Sequence, residues 1–258
     1  MKRSGLLFIL VCVVIFAGGL SAQPPDSAGA FIAVGDSLRD AWDHQGAAEA
    51  YLNALELDST LYEALWKAAD QVTEVANKLP DKEKDKKEKL FAMADSLCDE
   101  AIEVNPKGWE GHFYKSVALG RLALFRGGKE KINMSKQIKV EVDTAIALNP
   151  RADLAYHVLG RWHQELANLG WLLRAAAKVI YGGVPPGSNE EAVAAFKKAI
   201  EIDPTHIEHH LELGRTYKLM GAKDLAAISF ETVLNLPAKE EGDEALKEEA
   251  KELLEEVK

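Results

Sequence analysis

The chain has little with which to staple itself or to attract a polyanion. It carries two cysteines in 258 residues. Cys12 lies within an apolar N-terminal run, so removal of that run leaves Cys98 alone and excludes an intramolecular disulfide. The core must then hold the fold. Cys98 falls on an apolar helical position, which argues against a reactive thiol. Positive charge is also short: 31 Lys and Arg against 41 Asp and Glu give a net charge of −10, so no general pull toward nucleic acid or anionic membrane is expected, beyond what a local basic patch could exert. No phosphate loop, nucleophile elbow or zinc-knuckle spacing occurs, so neither an enzyme nor a cofactor site is expected. In THIEHH, His206 and His210 stand four apart on a helix, a spacing that suits a metal. His210 falls on a packing position, however, and no third ligand is indicated, so no metal site is expected.

The N-terminus has a definite grammar. Lys2 and Arg3 precede an apolar run from Leu6 to about Leu20, and small residues follow as far as Ala22. That order is expected of a signal peptide over 1–22 with cleavage near Ala22, followed by a short linker at 23–28, giving an exported protein, periplasmic or secreted. The alternative is a membrane anchor at residues 6–20, although the run is shorter than the roughly 20 residues of a spanning helix.

Beyond it the chain repeats itself. AAEAYLNALELDS, ADSLCDEAIEVNP, IKVEVDTAIALNP, AVAAFKKAIEIDP and AAISFETVLNLPA share apolar or small residues three and four apart and then a polar break. Each reads as an amphipathic helix. Pro106, Pro150 and Pro204 stop three of them, because proline offers no amide and clashes with the preceding turn.

The pattern resembles the tetratricopeptide repeat, whose unit of about 34 residues pairs a helix A (W-x2-L-G-x2-Y) with a helix B (A…F…A…P). In the fourth repeat the helix A positions fall on Tyr156, Leu159, Gly160 and His163, and the helix B positions on Ala192, Phe196, Ala199 and Pro204. A small residue lets the two helices approach, and large apolar residues fill the space around it. The fold expected is an all-α, tetratricopeptide-type right-handed α-solenoid of about five helical hairpins, at 29–60, 61–106, 109–150, 153–204 and 207–238. A capping helix at 239–258 should cover the last apolar surface.

The rhythm is interrupted in the middle. From the last helix A position to the first helix B position there are 9 residues in the first repeat (38 to 47) and 9 in the fifth (217 to 226). The intervening repeats have 22 (72 to 94), 19 (119 to 138) and 29 (163 to 192). All three insertions sit at the turn between helices A and B, so they should project together along one edge of the solenoid. The first, 77–89, reads as a charged extension of two helices, and the second, 126–137, as a turn followed by a helix start. In the third, apolar residues at helical spacing within 164–181 predict a helix that prolongs or follows helix A. GGVPPG ends it, and Ser188 with Glu191 forms a candidate capping box.

A narrower resemblance lies in this third insertion and its surroundings. Gly160, Arg161, Trp162, Trp171, Lys178, Gly182, Pro185, Ser188, Glu191, Ala192, Phe196 and Ala199 together resemble the regulator of microtubule dynamics family, over roughly residues 109–237. The resemblance implies a tetratricopeptide-like helical domain that acts through protein contacts. In eukaryotic members it also implies association with microtubules and, in some, membrane anchoring.

If helix A lines the concave groove, Trp66 and Phe113 stand in its middle as apolar anchors, with His157 alongside. Arg161, Arg215 and Lys218 then provide cations toward its C-terminal end. Trp162 and Trp171 border the groove or pack within it. The function expected is an adaptor or scaffold binding a protein or peptide partner, one with acidic groups, through the groove. The alternative is a structural or oligomerisation module in which the inserted helix at 165–181 fills the groove and no peptide binds.

Overall fold

The computed structural model describes residues 27–258, less the side chains of residues 171, 172 and 181. The N-terminal run with its expected cleavage site lies outside the described residues. Within them the order is α1 (Ala28–Asp40), α2 (His44–Leu57), α3 (Tyr62–Lys78), α4 (Lys84–Val104), α5 (Trp109–Leu122) and α6 (Gly128–Leu148). It continues with α7 (Asp153–Ala167), α8 (Trp171–Tyr181), α9 (Asn189–Ile202), α10 (Ile207–Leu219), α11 (Lys223–Asn235) and α12 (Asp243–Val257). Short 3₁₀ turns at Asp81–Glu83 and Ala123–Phe125 precede α4 and follow α5. The described residues contain no strand.

The hairpins α1/α2, α3/α4, α5/α6, α7/α9 and α10/α11 are the five repeats, and α12 packs on α10 and α11. At their centres a missing side chain meets a ring. A Cβ built on Gly35 would fall 2.5 Å from Tyr51, one on Gly160 2.6 Å from Phe196, and one on Gly214 2.5 Å from Phe230. Each of these rings is fully buried, and burying a Phe side chain contributes about 1.5–3 kcal/mol.

The repeats also share a stop signal. Asp58, Asn105, Asn149 and Asp203 follow α2, α4, α6 and α9, and each side chain accepts the amide two residues on, at 2.9, 3.2, 3.1 and 2.8 Å. This local bond offers the chain an alternative to another helical turn. The next residue is proline in the last three, which makes the stop firm.

The layers follow from which helices touch. α3 meets α5, α5 meets α7, α7 meets α10 and α10 meets α12, whereas α2, α4, α6, α9 and α11 have no more than marginal contact with one another. The first series is therefore the inner, concave layer and the second the outer one. The insertions meet along one edge. Arg126, after α5, pairs with Glu88 of α4, and Pro185 and Pro186, before α9, share a cleft with Lys136 and Lys139 of α6.

The third insertion is a separate helix. After α7 the chain breaks at 168–170 and α8 begins at Trp171. α8 touches α6, an outer helix, and Leu173, Val179 and Ile180 remain exposed. This corrects the alternative in which the inserted helix at 165–181 fills the groove, since α8 lies on the outer side of the hairpin. Ser188 Oγ accepts the Glu191 amide at 3.3 Å, as a cap should. The reciprocal bond is absent, because Ser188 Oγ donates to Glu190 at 2.6 Å and Glu191 turns toward His163 Nδ1 at 3.0 Å.

The two ends of the array come together. Glu241, in the turn before α12, receives Lys78 Nζ of α3 at 2.6 Å and lies 2.9 Å from His44 Nε2 of α2. The other ring nitrogen of His44 is 2.8 Å from Gln71 Oε1. Hydrogen bonds from Lys78 and His44 hold the Glu241 carboxyl below its usual range.

Candidate functional site: the inner face

Helices α3 and α5 set two aromatic rings against each other on the inner layer. Trp66 and Tyr114 stack with centroids 5.4 Å apart and planes at 7°, and both keep part of their surface exposed. Stacking of this kind covers the facing sides of the two rings, and Tyr114 also packs against the cores on either side of α5, so the open surface is the remaining part of each ring. Asp70, one turn beyond Trp66, accepts from Gln71 at 2.8 Å, yet burial pushes its carboxyl up to about 6. Lys67 on the same helix is fully engaged: it donates to Asp36 at 2.7 Å and Glu63 at 2.6 Å. Although burial raises Asp36, the bonds from Lys67 and Tyr51 hold its carboxyl below the usual range.

Between the fourth and fifth repeats lies a charged core. Glu212 of α10 has no exposed side-chain surface and is gripped by Arg161 of α7 at 2.5 Å and by Arg215 of its own helix. Arg161 also reaches Glu165 at 3.1 Å, and Arg215 reaches Glu249 of α12. One Glu212 oxygen, Oε2, has no hydrogen-bond partner among the described residues. Glu208, one turn earlier, is pushed up by burial and by Glu212, with Arg161 and Arg121 opposing. Arg121, in the last turn of α5, is exposed and makes no ion pair among the described residues.

Histidines fill the floor beside this core. His157 Nδ1 of α7 lies 3.0 Å from His209 Nδ1 of α10, so one ring nitrogen donates and the other accepts. His209 Nε2 lies 3.1 Å from Asp153. Burial and the neighbouring histidines push His157 well below its usual range. Burial lowers His209 as well, whereas His206, despite burial, is raised by Glu240. His210 is bound to the Pro204 carbonyl at 3.0 Å.

The residues expected to meet a partner thus divide. Trp66 stands on the inner face with open surface, but the ring beside it is Tyr114. Phe113 is 5% exposed and packs with Val142, Ala145 and Ala155 between α5, α6 and α7. Alternation along α5 explains the difference, since adjacent residues point about 100° apart. His157 is buried against Phe196. Arg161 and Arg215 hold Glu212, and Lys218 holds Glu256 of α12. Trp162 is 8% exposed, and its Nε1–H donates to the Ser135 carbonyl at 2.7 Å, tying α7 to α6. The Trp171 side chain lies outside the described residues. Tyr114 and Arg121 escaped the sequence reading because their helix carries the weakest repeat signature.

Similarity to known proteins decides the family. The model of the family "Regulator of microtubule dynamics protein 1-3" matches residues 31–258. The chain belongs to that family. Regulator of microtubule dynamics protein 1 of Bos taurus is 33% identical over 74% of this chain and 61% of its own length. Regulator of microtubule dynamics protein 3 of Xenopus laevis is 26% identical over 75% of this chain and 43% of its own. The chain therefore spans about six tenths of the length of the first of these relatives. Among solved structures, a thermophilic TPR protein of Thermus thermophilus superposes with a TM-score of 0.65 at 18% identity, covering 88% of this chain and 99% of the other. That likeness establishes the tetratricopeptide-type solenoid.

Membership of the regulator of microtubule dynamics family corrects the expected localisation. Relatives from cattle, mouse and frog are named for microtubule dynamics, and such proteins are not exported by signal cleavage. The expectation of a periplasmic or secreted protein, cleaved near Ala22, is overturned. Among the described residues no helix is long and apolar enough to cross a membrane.

Proposed function

We propose that this regulator of microtubule dynamics relative is a non-enzymatic scaffold whose concave face binds an acidic segment of a protein partner. The repeat domain at 29–238, closed by the helix that follows, supplies the groove. The observation that carries the reading is the stacked, partly exposed Trp66–Tyr114 pair on the same inner layer as Arg121, which has no ion pair among the described residues. An apolar anchor with a nearby cation is the usual chemistry of peptide capture. The names of the relatives support microtubule regulation as the process it would serve.

The test is an array of acidic peptides together with co-sedimentation on polymerised tubulin, using wild type, Trp66→Ala and Arg121→Glu. Arg121→Glu removes no contact among the described residues and should leave melting unchanged, whereas Trp66→Ala loses its stack with Tyr114, so its capture is compared at a temperature well below its own melting point. Expected is capture by wild type that falls about tenfold or more in each variant, the scale of a lost anchor or reversed contact. Capture indifferent to both substitutions would remove the groove from the function.

A further inference from the structure

Helix α8 presents an apolar ridge. Leu173, Ala176 and Ile180 follow one line along it, and Ala175 and Val179 the next, as the helical repeat requires. All five are exposed, with Val179 at 86%, Ile180 at 64% and Leu173 at 63%. The opposite side is the attached one: Ala177 is buried there, and the Arg174 guanidinium donates to the Leu166 carbonyl. Lys178 lies at the border between the two sides. The helix ends at Gly182 and Gly183, which adopt φ of 79° and 108°, conformations that favour glycine.

Charge on α8 and the first half of α6 is mostly positive, and the one acid there, Glu130, is paired with Arg126. α8 contains Arg174 and Lys178 and no acidic residue. Its neighbour α6 opens GKEKINMSKQIK, where Lys129, Lys131 and Lys136 are exposed and make no ion pair among the described residues. This local excess stands out in a chain of net charge −10. The shape matters as much. A peptide needs a groove with walls, whereas α8 is convex and touches only α6 to any extent. An amphipathic helix with Lys178 at the border of its apolar stripe and exposed lysines on the helix beside it suits the boundary between headgroups and acyl chains. At 11 residues it is about 16 Å long, too short to span a bilayer.

We infer that α8 docks the protein on an anionic membrane surface, with Leu173, Val179 and Ile180 inserted at the interface and Lys178 and the α6 lysines on lipid headgroups. This goes beyond the groove reading and does not depend on it, because α8 and the concave face lie on different layers.

The test follows position 179 in the full chain. Cys12→Ser removes one thiol and Cys98 is buried, so Val179→Cys carries an environment-sensitive fluorophore at one chosen place. Ser59→Cys, exposed on another repeat, is the control. Vesicles are either phosphatidylcholine alone or phosphatidylcholine with about a third phosphatidylserine. The label at 179 should brighten with the anionic vesicles, the label at 59 should not, and high salt should reverse the change. Lys178→Glu should lower partition about 25-fold, two charge steps of about fivefold each. Leu173→Ser with Ile180→Ser should lower it about tenfold or more. Docking driven by the apolar residues at 6–20 would be blind to lipid charge and to Lys178, and that result overturns the inference. So does an unchanged signal at 179. Brightening that follows protein concentration without vesicles assigns the ridge to a second copy and overturns it equally.

Discussion

Arg161 reaches across from α7 to meet Glu212 of α10 at 2.5 Å, and that carboxylate has no solvent-exposed surface. An ion pair of this kind costs desolvation, and its removal matters most when a buried charge is left behind. Arg161→Ala leaves Arg215 in place, and Arg215→Ala leaves Arg161. The double variant leaves neither. We predict that the double variant loses about 3–5 kcal/mol, more than the two single losses added together. Urea unfolding of the four proteins measures it, and strict additivity would refute the shared role. Charge reversal at these arginines would accordingly report folding before it reported partner capture.

Gly160 and Gly214 are expected to resist even a methyl group. Ala is normally worth about 0.5–1 kcal/mol over Gly inside a helix. Here the added carbon would meet Phe196 or Phe230, and overpacking costs about 1–3 kcal/mol. Gly160→Ala should therefore lower stability in chemical denaturation, and adding Phe196→Leu should recover part of the loss. A stabilised Gly160→Ala would show that the ring moves aside freely.

His157 should give stability a pH dependence of known sign. Its folded value lies below the ordinary one because burial disfavours the imidazolium. Below about pH 6.5 the unfolded chain binds a proton that the folded chain refuses, so the contribution is present near neutrality and fades on acidification. Asp70, Glu208 and His206 shift upward and act in the opposite sense, so the comparison must be with a variant. Wild type should exceed His157→Gln in unfolding free energy by more at pH 7.5 than at pH 5.5. A difference constant across that range would exclude a neutral buried His157.

The Lys78–Glu241 pair should contribute little to unfolding free energy. Both side chains are more than two-fifths exposed, and exposed pairs are worth about 0–1 kcal/mol. A double-mutant cycle of Lys78→Ala and Glu241→Ala should give a coupling within that range that shrinks in salt. Coupling of several kcal/mol at high salt would contradict the screened pair.

The helices were legible because their apolar positions recur with the helical period and because Pro106, Pro150 and Pro204 mark three of their ends. The edge was legible too, since three insertions at one register position must emerge together. The groove was less so. Phe113 and Tyr114 are neighbours in sequence, and a rotation of one residue in a helix with a weak signature exchanges the fully buried ring for the half-buried one on the inner face. The pairing of Arg161 and Arg215 with Glu212 depends on how two repeats dock, which spacing within one repeat does not encode. Lys78 and Glu241 lie 163 residues apart, and no local pattern marks them.

That last contact changes the mechanics of the molecule. A stack of hairpins joined only to its neighbours behaves as an open spring, free to uncoil from either end. Tying the turn before α12 back to α2 and α3 turns the spring into a loop, closed by a contact weak enough to open without unfolding any repeat. Because the tie is ionic and half-exposed, dissolved salt becomes a dial on that closure: the loop holds best in dilute buffer and loosens as counterions shield the latch.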